Sequence, residues 1–339
     1  MSWPNRQIKL VSYAEGLPGE EHFALAKATT PDPREGEVVV RVGYLSMDPF
    51  PRLQMSGSAD GVPQLPLDTV MIGRGVGRVV ASRHPDFNEG DYAAGDLGWQ
   101  DYALVSGDGL RPVDPTLGPV STCLGVLGPS GLAAYFSTTK LGQPQPGDTF
   151  LIDAAAGSVA SIAGQIAKLR GARVVGIAGG DVQLDYITGE LGFDAAVDYK
   201  APGDITEAIG AACPEGVDVF QDLVGGAIHD AVMDHINPHA TIVLIGTIAS
   251  YNLGPDEVDM GPRHLLTWIT KRVTIRGFLV GDFSDEYGDG LRELAGWIRE
   301  GKIAYRETVF SGLEACPQAF AGLFGSEHVG KMLVEVADV

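Results

Sequence analysis

Ala155, Gly157 and Ala160 stand at the spacing of the glycine-rich turn G-x-G-x-x-G, with only the middle glycine kept and a further Gly164 one helical turn on. Small residues at this spacing leave room for a pyrophosphate to reach the unpaired N–H groups at a helix N-terminus, which a larger side chain would block. The same residues also suit a plain strand-to-helix turn that binds nothing. The flanks are right for either. The apolar run Phe150 to Ile152 has the length of a buried strand, and Val159, Ile162, Ala163, Ile166 and Leu169 recur at helical spacing before Gly171, a C-terminal cap.

Other chemistries are poorly provided for. The three cysteines, Cys123, Cys213 and Cys316, are odd in number and far apart, with no C-x-x-C pair, and the seven histidines show no ligand spacing. Neither a disulfide framework nor a zinc site is expected, and the thiols read as buried and inert. No Ser, His and Asp arrangement for nucleophilic catalysis stands out.

The elements that must position the turn form two groups. Residues 1 to about 125 are rich in Pro and Gly, with short β-like runs at Glu37–Val42, Val76–Ala81 and Asp101–Val105, which reads as a mostly β domain with long loops. From about 126, strands alternate with helices. Strands are predicted at Thr149–Ala154, Ala172–Ala178, Ala195–Tyr199, Val217–Val224, Thr241–Thr247 and Val273–Val280. Helices are predicted at Gly157–Arg170, Val182–Leu191, Asp204–Ala212, Ala227–Ile236, Arg263–Thr270, Tyr287–Glu300 and Leu313–Phe324. Six strands with helical crossovers predict a doubly wound parallel sheet of the Rossmann kind. The alternating segment Lys331–Val336 has no place in that sheet and is assigned to the first domain. The expected domains are therefore 1–125, 126–308 and a return at 309–339, with a cleft between the two bodies.

A chain of 339 residues suffices for two cores. Its net charge of −20, from 44 acidic and 24 basic residues, should repel nucleic acid and anionic lipid, so an anionic ligand must be held by local donors. The N-terminal MSWPNRQIKL lacks a signal-peptide core and no uncharged stretch would span a bilayer, so a cytoplasmic protein without membrane contact is expected.

Several segments taken together resemble one family: Leu45–Met55, Gly73–Ser82, Gly98–Val105, Leu124–Phe136, Ala154–Gly180, Phe193–Lys200, Ser250–Asn252, Arg276–Phe283 and Gly312–Phe324. In order and over nearly the whole chain they look like the zinc-independent medium-chain reductases, which include the 2-alkenal, curcumin and prostaglandin reductases. The resemblance implies a Rossmann domain inserted in a GroES-like catalytic domain, a homodimer, and no metal. It also implies NADPH-dependent reduction of a carbon–carbon double bond conjugated to a carbonyl in a small enal or enone. Such chemistry needs position, water exclusion and a donor near the developing enolate, since the cofactor carries the hydride. A quinone or alcohol oxidoreductase on the same scaffold, or a dinucleotide-binding sensor without turnover, is the alternative.

The resemblance places the cofactor on Ala156, Gly157, Ser158, Val159, Gly180, Gln183, Tyr199, Lys200, Leu223, Gly246, Tyr251, Phe278, Leu279, Val280, His328 and Gly330, with Phe50 and Thr270 in the substrate pocket. Several depart from the family pattern. Its lysine for the adenosine 2′-phosphate is Gln183, its asparagine after Asp222 is Leu223, its pocket tyrosine is Thr270, its asparagine before Gly330-Lys331 is His328, and the tyrosine of its DPYxR segment is Phe50. No acid ends the second strand, where Ala178-Gly179-Gly180 leave space for a 2′-phosphate, so NADP is preferred and NAD stays open. Lys200 is either a 2′-phosphate ligand or a solvated charge. Tyr251 follows the fifth strand's C-terminal edge, where ligands lie in such sheets, and is either the catalytic hydroxyl or a packing aromatic. His328 either donates to the cofactor, acts as a catalytic proton source, or is idle. Trp99 and Tyr102 are expected in the first domain's core, and Asp48 and Arg52 either pair or line the cleft.

Overall fold

The computed structural model describes residues 2–56, 62–254, 257–325 and 328–339. It divides into two compact units, one of Met1–Gly125, Glu307–Gly325 and Lys331–Val339, the other of Val126–Arg306 and Ser326–Gly330.

The first unit is mostly β. In chain order it holds β1 (Trp3–Leu10), β2 (Phe23–Thr30), β3 (Glu37–Ser46), α1 (Pro51–Ser56), β4 (Thr69–Val70), β5 (Arg74–Ser82), β6 (Tyr92–Asp96), β7 (Tyr102–Ser106) and β8 (Arg111–Val113). β2, β1 and β4 form a small antiparallel sheet. β3 pairs with β5 on one side and β7 on the other, and β6 and β8 extend the sheet beyond β5. Val38, Val40 and Val42 alternate along β3 into a core closed by Trp99, whose ring packs on Phe23 and Phe320 at 5.3 and 5.7 Å between centroids. Of the predicted strands, β3 and β5 are longer and β7 is shifted by one residue, and among the additional strands are β1 and β2. Their sequences, WPNRQIKL and FALAKATT, lack an alternating apolar pattern. What pairs them is the buried Asn5, which donates to Thr30 Oγ1, Gln100 Oε1 and the Tyr102 carbonyl.

The second unit alternates α2 (Pro129–Phe136), β9 (Thr149–Ile152), α3 (Ala160–Leu169), β10 (Arg173–Ala178), α4 (Asp181–Asp185), β11 (Ala195–Asp198), α5 (Ile205–Ala212), β12 (Val217–Asp222), α6 (Gly226–Met233), β13 (Ile236–Leu244), α7 (Leu265–Lys271), β14 (Thr274–Gly277) and α8 (Tyr287–Arg299). The strands lie in the order β11-β10-β9-β12-β13-β14, all parallel, which is the doubly wound arrangement expected. Side chains alternate as a sheet buried on both faces requires: Phe150 and Ile152 point into one core with α3 residues, Leu151 into another with α5 and α6 residues. β13 begins five residues earlier than predicted, because Ile236–Ala240 carries Pro238 and the left-handed His239 (φ 67°), a pattern that reads locally as a turn. The predicted helix at Val182–Leu191 changes after α4 into a wider π turn over Tyr186–Glu190.

The chain then contributes β15 (Glu307–Ser311), α9 (Cys316–Gly322) and β16 (Lys331–Glu335) to the first unit, β16 lying between β15 and β3. Asp48 pairs there with the buried Lys331 at 3.0 Å, while the Arg52 guanidinium donates to the carbonyls of Ala14 and Gly16. All three cysteines are free and buried, and burial pushes the thiols of Cys123 and Cys213 up to about 12 and about 11. No helix of the described residues is long and apolar enough to cross a membrane.

Candidate functional site

β9 and β12 are neighbours whose chain connections leave in opposite directions, so the crevice at their C-terminal ends is the switch point where an open α/β sheet binds ligands. The turn from Asp153 to Val159 occupies it. Ala154 holds a left-handed φ of 45°, and its carbonyl accepts the Gly157 N–H at 2.8 Å. Ala155 and Ala156 are buried, which leaves no long side chain over the first turn of α3 and its backbone amides. Ser158 is held by the Ser130 hydroxyl at 3.2 Å, and Val159 packs partly into the core as the residue before α3.

Gly330 supports this turn from beneath. Its N–H donates to the Ala156 carbonyl at 2.7 Å, and it pairs in parallel with Gly157. It has a φ of 68°, and a Cβ there would lie 1.9 Å from the Arg306 carbonyl oxygen, so only glycine fits. Gly164 supplies the close helix-to-sheet packing one turn later: a Cβ there would run into the Phe193 ring at 2.1 Å.

A second cluster forms after β10 and β11. Gly180 (φ 86°) opens α4, and its N–H donates to Asp198 Oδ1 at 3.2 Å, which also accepts the Lys200 N–H at 2.9 Å. The exposed Tyr199 ring covers Gly179, and the Lys200 side chain is exposed. Gln183 is buried and its amide is engaged at both ends: Oε1 accepts the Gly179 N–H at 3.1 Å, and Nε2 donates to the His328 carbonyl at 2.7 Å. Gln183 therefore ties the α4 turn to the segment before Gly330, a structural role that the lysine expected at this position could not fill, having no acceptor.

A third cluster follows β12, β13 and β14. The Leu223 and Val224 carbonyls accept the N–H groups of Ile248 and Ala249 at 3.2 and 3.1 Å, and Gly246 donates to the Asp222 carbonyl, so the two loops are laced together. Tyr251 stands half-buried after this lacing. Burial pushes its phenol up, and hydrogen bonds to Thr247 pull it partly back. Phe278 continues the β14 ladder by donating to the Leu244 carbonyl, with exposed Leu279 and then Val280 at the same end.

Of the residues named from the sequence, those of the second unit, with one exception, are gathered at the C-terminal edge of this sheet. Tyr251 and His328 are on opposite sides of the switch point, His328 tied beside β10 and Tyr251 beyond β13. The exception is Thr270. It lies near the end of α7, at the opposite edge where β14 begins, and its hydroxyl donates to the Leu266 carbonyl of its own helix at 2.8 Å. Phe50 belongs to the first unit, exposed in the turn before α1.

Sequence reasoning missed Asp153 and His229. Asp153 was absorbed into the end of a strand, yet a lone acid closing an apolar run was a readable signal. It is fully buried beside Asp222. Among the described residues no group of three or more His, Cys, Asp or Glu gathers as metal ligands.

Two family models match the chain, one for the N-terminal domain of oxidoreductases over residues 6–113 and one for zinc-binding dehydrogenases over 158–296. The protein YfmJ of Bacillus subtilis (strain 168) is 43% identical over 100% of this chain and 99% of its own. The NADPH-dependent curcumin reductase of Escherichia coli (strain K12) is 40% identical over 98% and 97%. The chain belongs to the zinc-independent medium-chain reductase family. Among solved structures, CurA from Vibrio vulnificus in complex with NADPH superposes on this reductase with a TM-score of 0.93 and 39% identity, over 98% of this chain and 100% of that one.

Proposed function

We propose that the protein is an NADPH-dependent ene reductase, which saturates the carbon–carbon double bond of a small α,β-unsaturated aldehyde or ketone. The observation that carries this reading is the switch-point turn at Gly157, in a chain 40% identical from end to end to an NADPH-dependent curcumin reductase.

The residues present fit a dinucleotide. From Ala154 to Gly157 no side chain exceeds a methyl group, and the amides at the head of α3 suit a pyrophosphate. The bend at Gly179-Gly180 leaves a gap for the adenosine ribose, with Tyr199 as a flat wall and Lys200 as the cation for a 2′-phosphate. When bound, the coenzyme supplies the hydride, which goes to the β-carbon of the substrate. The laced loops of Leu223 and Gly246 hold the nicotinamide side of the crevice, and the Phe278, Leu279 and Val280 backbone closes it. Tyr251, kept protonated by burial, donates a hydrogen bond to the carbonyl oxygen as the enolate develops, and the α-carbon then takes a proton from solvent to give the saturated carbonyl. His328 borders the pyrophosphate turn instead.

We further infer a homodimer built through β14. This last strand is exposed along its whole length, and Leu266, Ile269 and Leu279 beside it are 73, 71 and 72% exposed, an apolar edge that a solitary chain would leave in water.

The test is coenzyme oxidation followed at the reduced nicotinamide band, with NADPH and with NADH, against a 2-alkenal, a cyclic enone, a quinone and a saturated ketone. Oxidation of NADPH that depends on the alkenal or enone, with the saturated carbonyl as product, supports the reading. Turnover of the quinone or ketone alone, or tight coenzyme binding with no turnover, overturns it.

A further inference from the structure

Asp153 follows the last residue of β9 and Asp222 closes β12, so the strand order brings two carboxyl groups together inside the switch point. Both are buried. Between them they take three successive amides of the next loop. Asp153 accepts the Leu223 N–H at 2.7 Å and the Val224 N–H at 3.2 Å, and Asp222 Oδ1 accepts Val224 at 3.1 Å and Gly225 at 2.7 Å. The second oxygen of Asp222 lies 2.7 Å from His229 Nδ1. One carboxylate with a histidine partner would suffice to cap this loop. A second buried acid is costly unless the pair holds a proton between its members, so its presence calls for a role.

That role is visible in what the amides carry. The carbonyls of Leu223 and Val224 accept the Ile248 and Ala249 N–H groups, in the turn that leads to Tyr251. We propose that Asp153 is a positioning residue for the nicotinamide half of the coenzyme, setting the Leu223–Gly225 backbone directly and the Tyr251 turn through it. This rests on the coenzyme reading above.

The arrangement is sensitive to pH. Burial, and then the charge of Asp222, push the Asp153 carboxyl well above its usual range despite the two amides that favour its ionised form. A carboxyl raised in the folded state contributes stability that is fully present below the unfolded carboxyl range and is lost as pH rises from there through the raised value. From β12 the facing group is Asp222, and from α6 it is His229. Beyond them lies the His264 ring at 6.1 Å from that of His229, bound in turn to Asp230 at 2.8 Å. The neighbouring strands end in Ile177 and Ala178 and in Val243 and Leu244, which do not titrate. When the shared proton leaves, two buried charges face each other, and the loop whose amides they hold is the part free to move.

Asp153→Asn keeps an acceptor for Leu223 and supplies a permanent donor toward Asp222, and Val224 keeps its bond to Asp222. Asp153→Ala removes both. Hydrogen-exchange protection of residues 222–226 in the free protein, corrected for intrinsic rates, is measured from mildly acidic to alkaline pH, together with NADPH affinity by coenzyme fluorescence and with thermal melts. In the wild type, loop protection and NADPH affinity are expected to fall together as pH rises, the affinity by about tenfold. The Asn variant should stay flat at the value the wild type shows at the acidic end of the series. The Ala variant should lose protection at every pH, with KM for NADPH raised more than KM for the enone. An Asn variant that tracks the wild-type pH curve, or an Ala variant with wild-type protection and affinity, overturns the positioning. A loop that responds as expected in a protein that binds NADPH at no pH overturns the coenzyme half, together with the reading it rests on.

Discussion

At the residue scale, the turn works by exclusion. Ala155 and Ala156 are turned into the core, Gly330 props the Ala156 carbonyl from below, and Gly157 presents bare backbone. Gly157→Val should therefore weaken NADPH binding by at least about a hundredfold, some 2.7 kcal/mol, because its side chain takes the pyrophosphate's place. A fluorescence titration reads the loss, and a melt within a few degrees of wild type separates it from unfolding; unchanged affinity would put the phosphates elsewhere. Lys200 is the second test. Lys200→Ala should raise KM for NADPH by about tenfold and leave KM for NADH nearly unchanged, since only the 2′-phosphate needs the charge. Equal effects on both coenzymes would return Lys200 to the solvent. The turn was legible because it is written in adjacent residues. The engagement of Gln183 was not: nothing near residue 183 announces that its amide meets the carbonyl of His328.

At the element scale, Leu265, Leu266 and Ile269 of α7 face outward beside β14 while Trp268 packs on the core, where a helix covering a sheet would turn most of its apolar side chains in. Replacing Leu266 and Ile269 together by Glu should convert the protein to a monomer, read as halved mass by light scattering after size exclusion, while the melting of each chain persists. A wild-type chain already monomeric at micromolar concentration would refute the inferred dimer. The inner strands β9 and β10 were legible, because strands buried on both faces read as near-continuous apolar runs. β1 and β2 were not. Asn5 reaches Thr30 across their ladder, and Asn5 and Arg6 tie β1 to Gln100 and Asp101 before β7, contacts that no periodicity within either strand reveals. Thr270 lies apart from the others for a related reason: residue order places it before the sixth strand, and the parallel sheet puts that point at the edge opposite the turn.

At the scale of the whole molecule, a net charge of −20 opposes the approach of an anionic coenzyme, so on the proposed reading local donors must offset it. Raising ionic strength toward about 0.15 M, where the Debye length is about 8 Å, should therefore speed NADPH association in stopped flow. A rate that falls with salt would show that the local cations govern encounter. The acidity, the alternation of strand and helix, the small-residue turn and the family pattern were determined by the sequence alone, since each rests on composition or on neighbours a few residues apart. Only the tertiary structure decided that Asp153 caps Leu223 from 70 positions away and that Gln183 holds His328 across 145. Such partners are chosen by strand order and burial, through which an unmet polar group finds whatever the fold brings within hydrogen-bond reach, and that choice leaves no mark on the residues beside it in the chain.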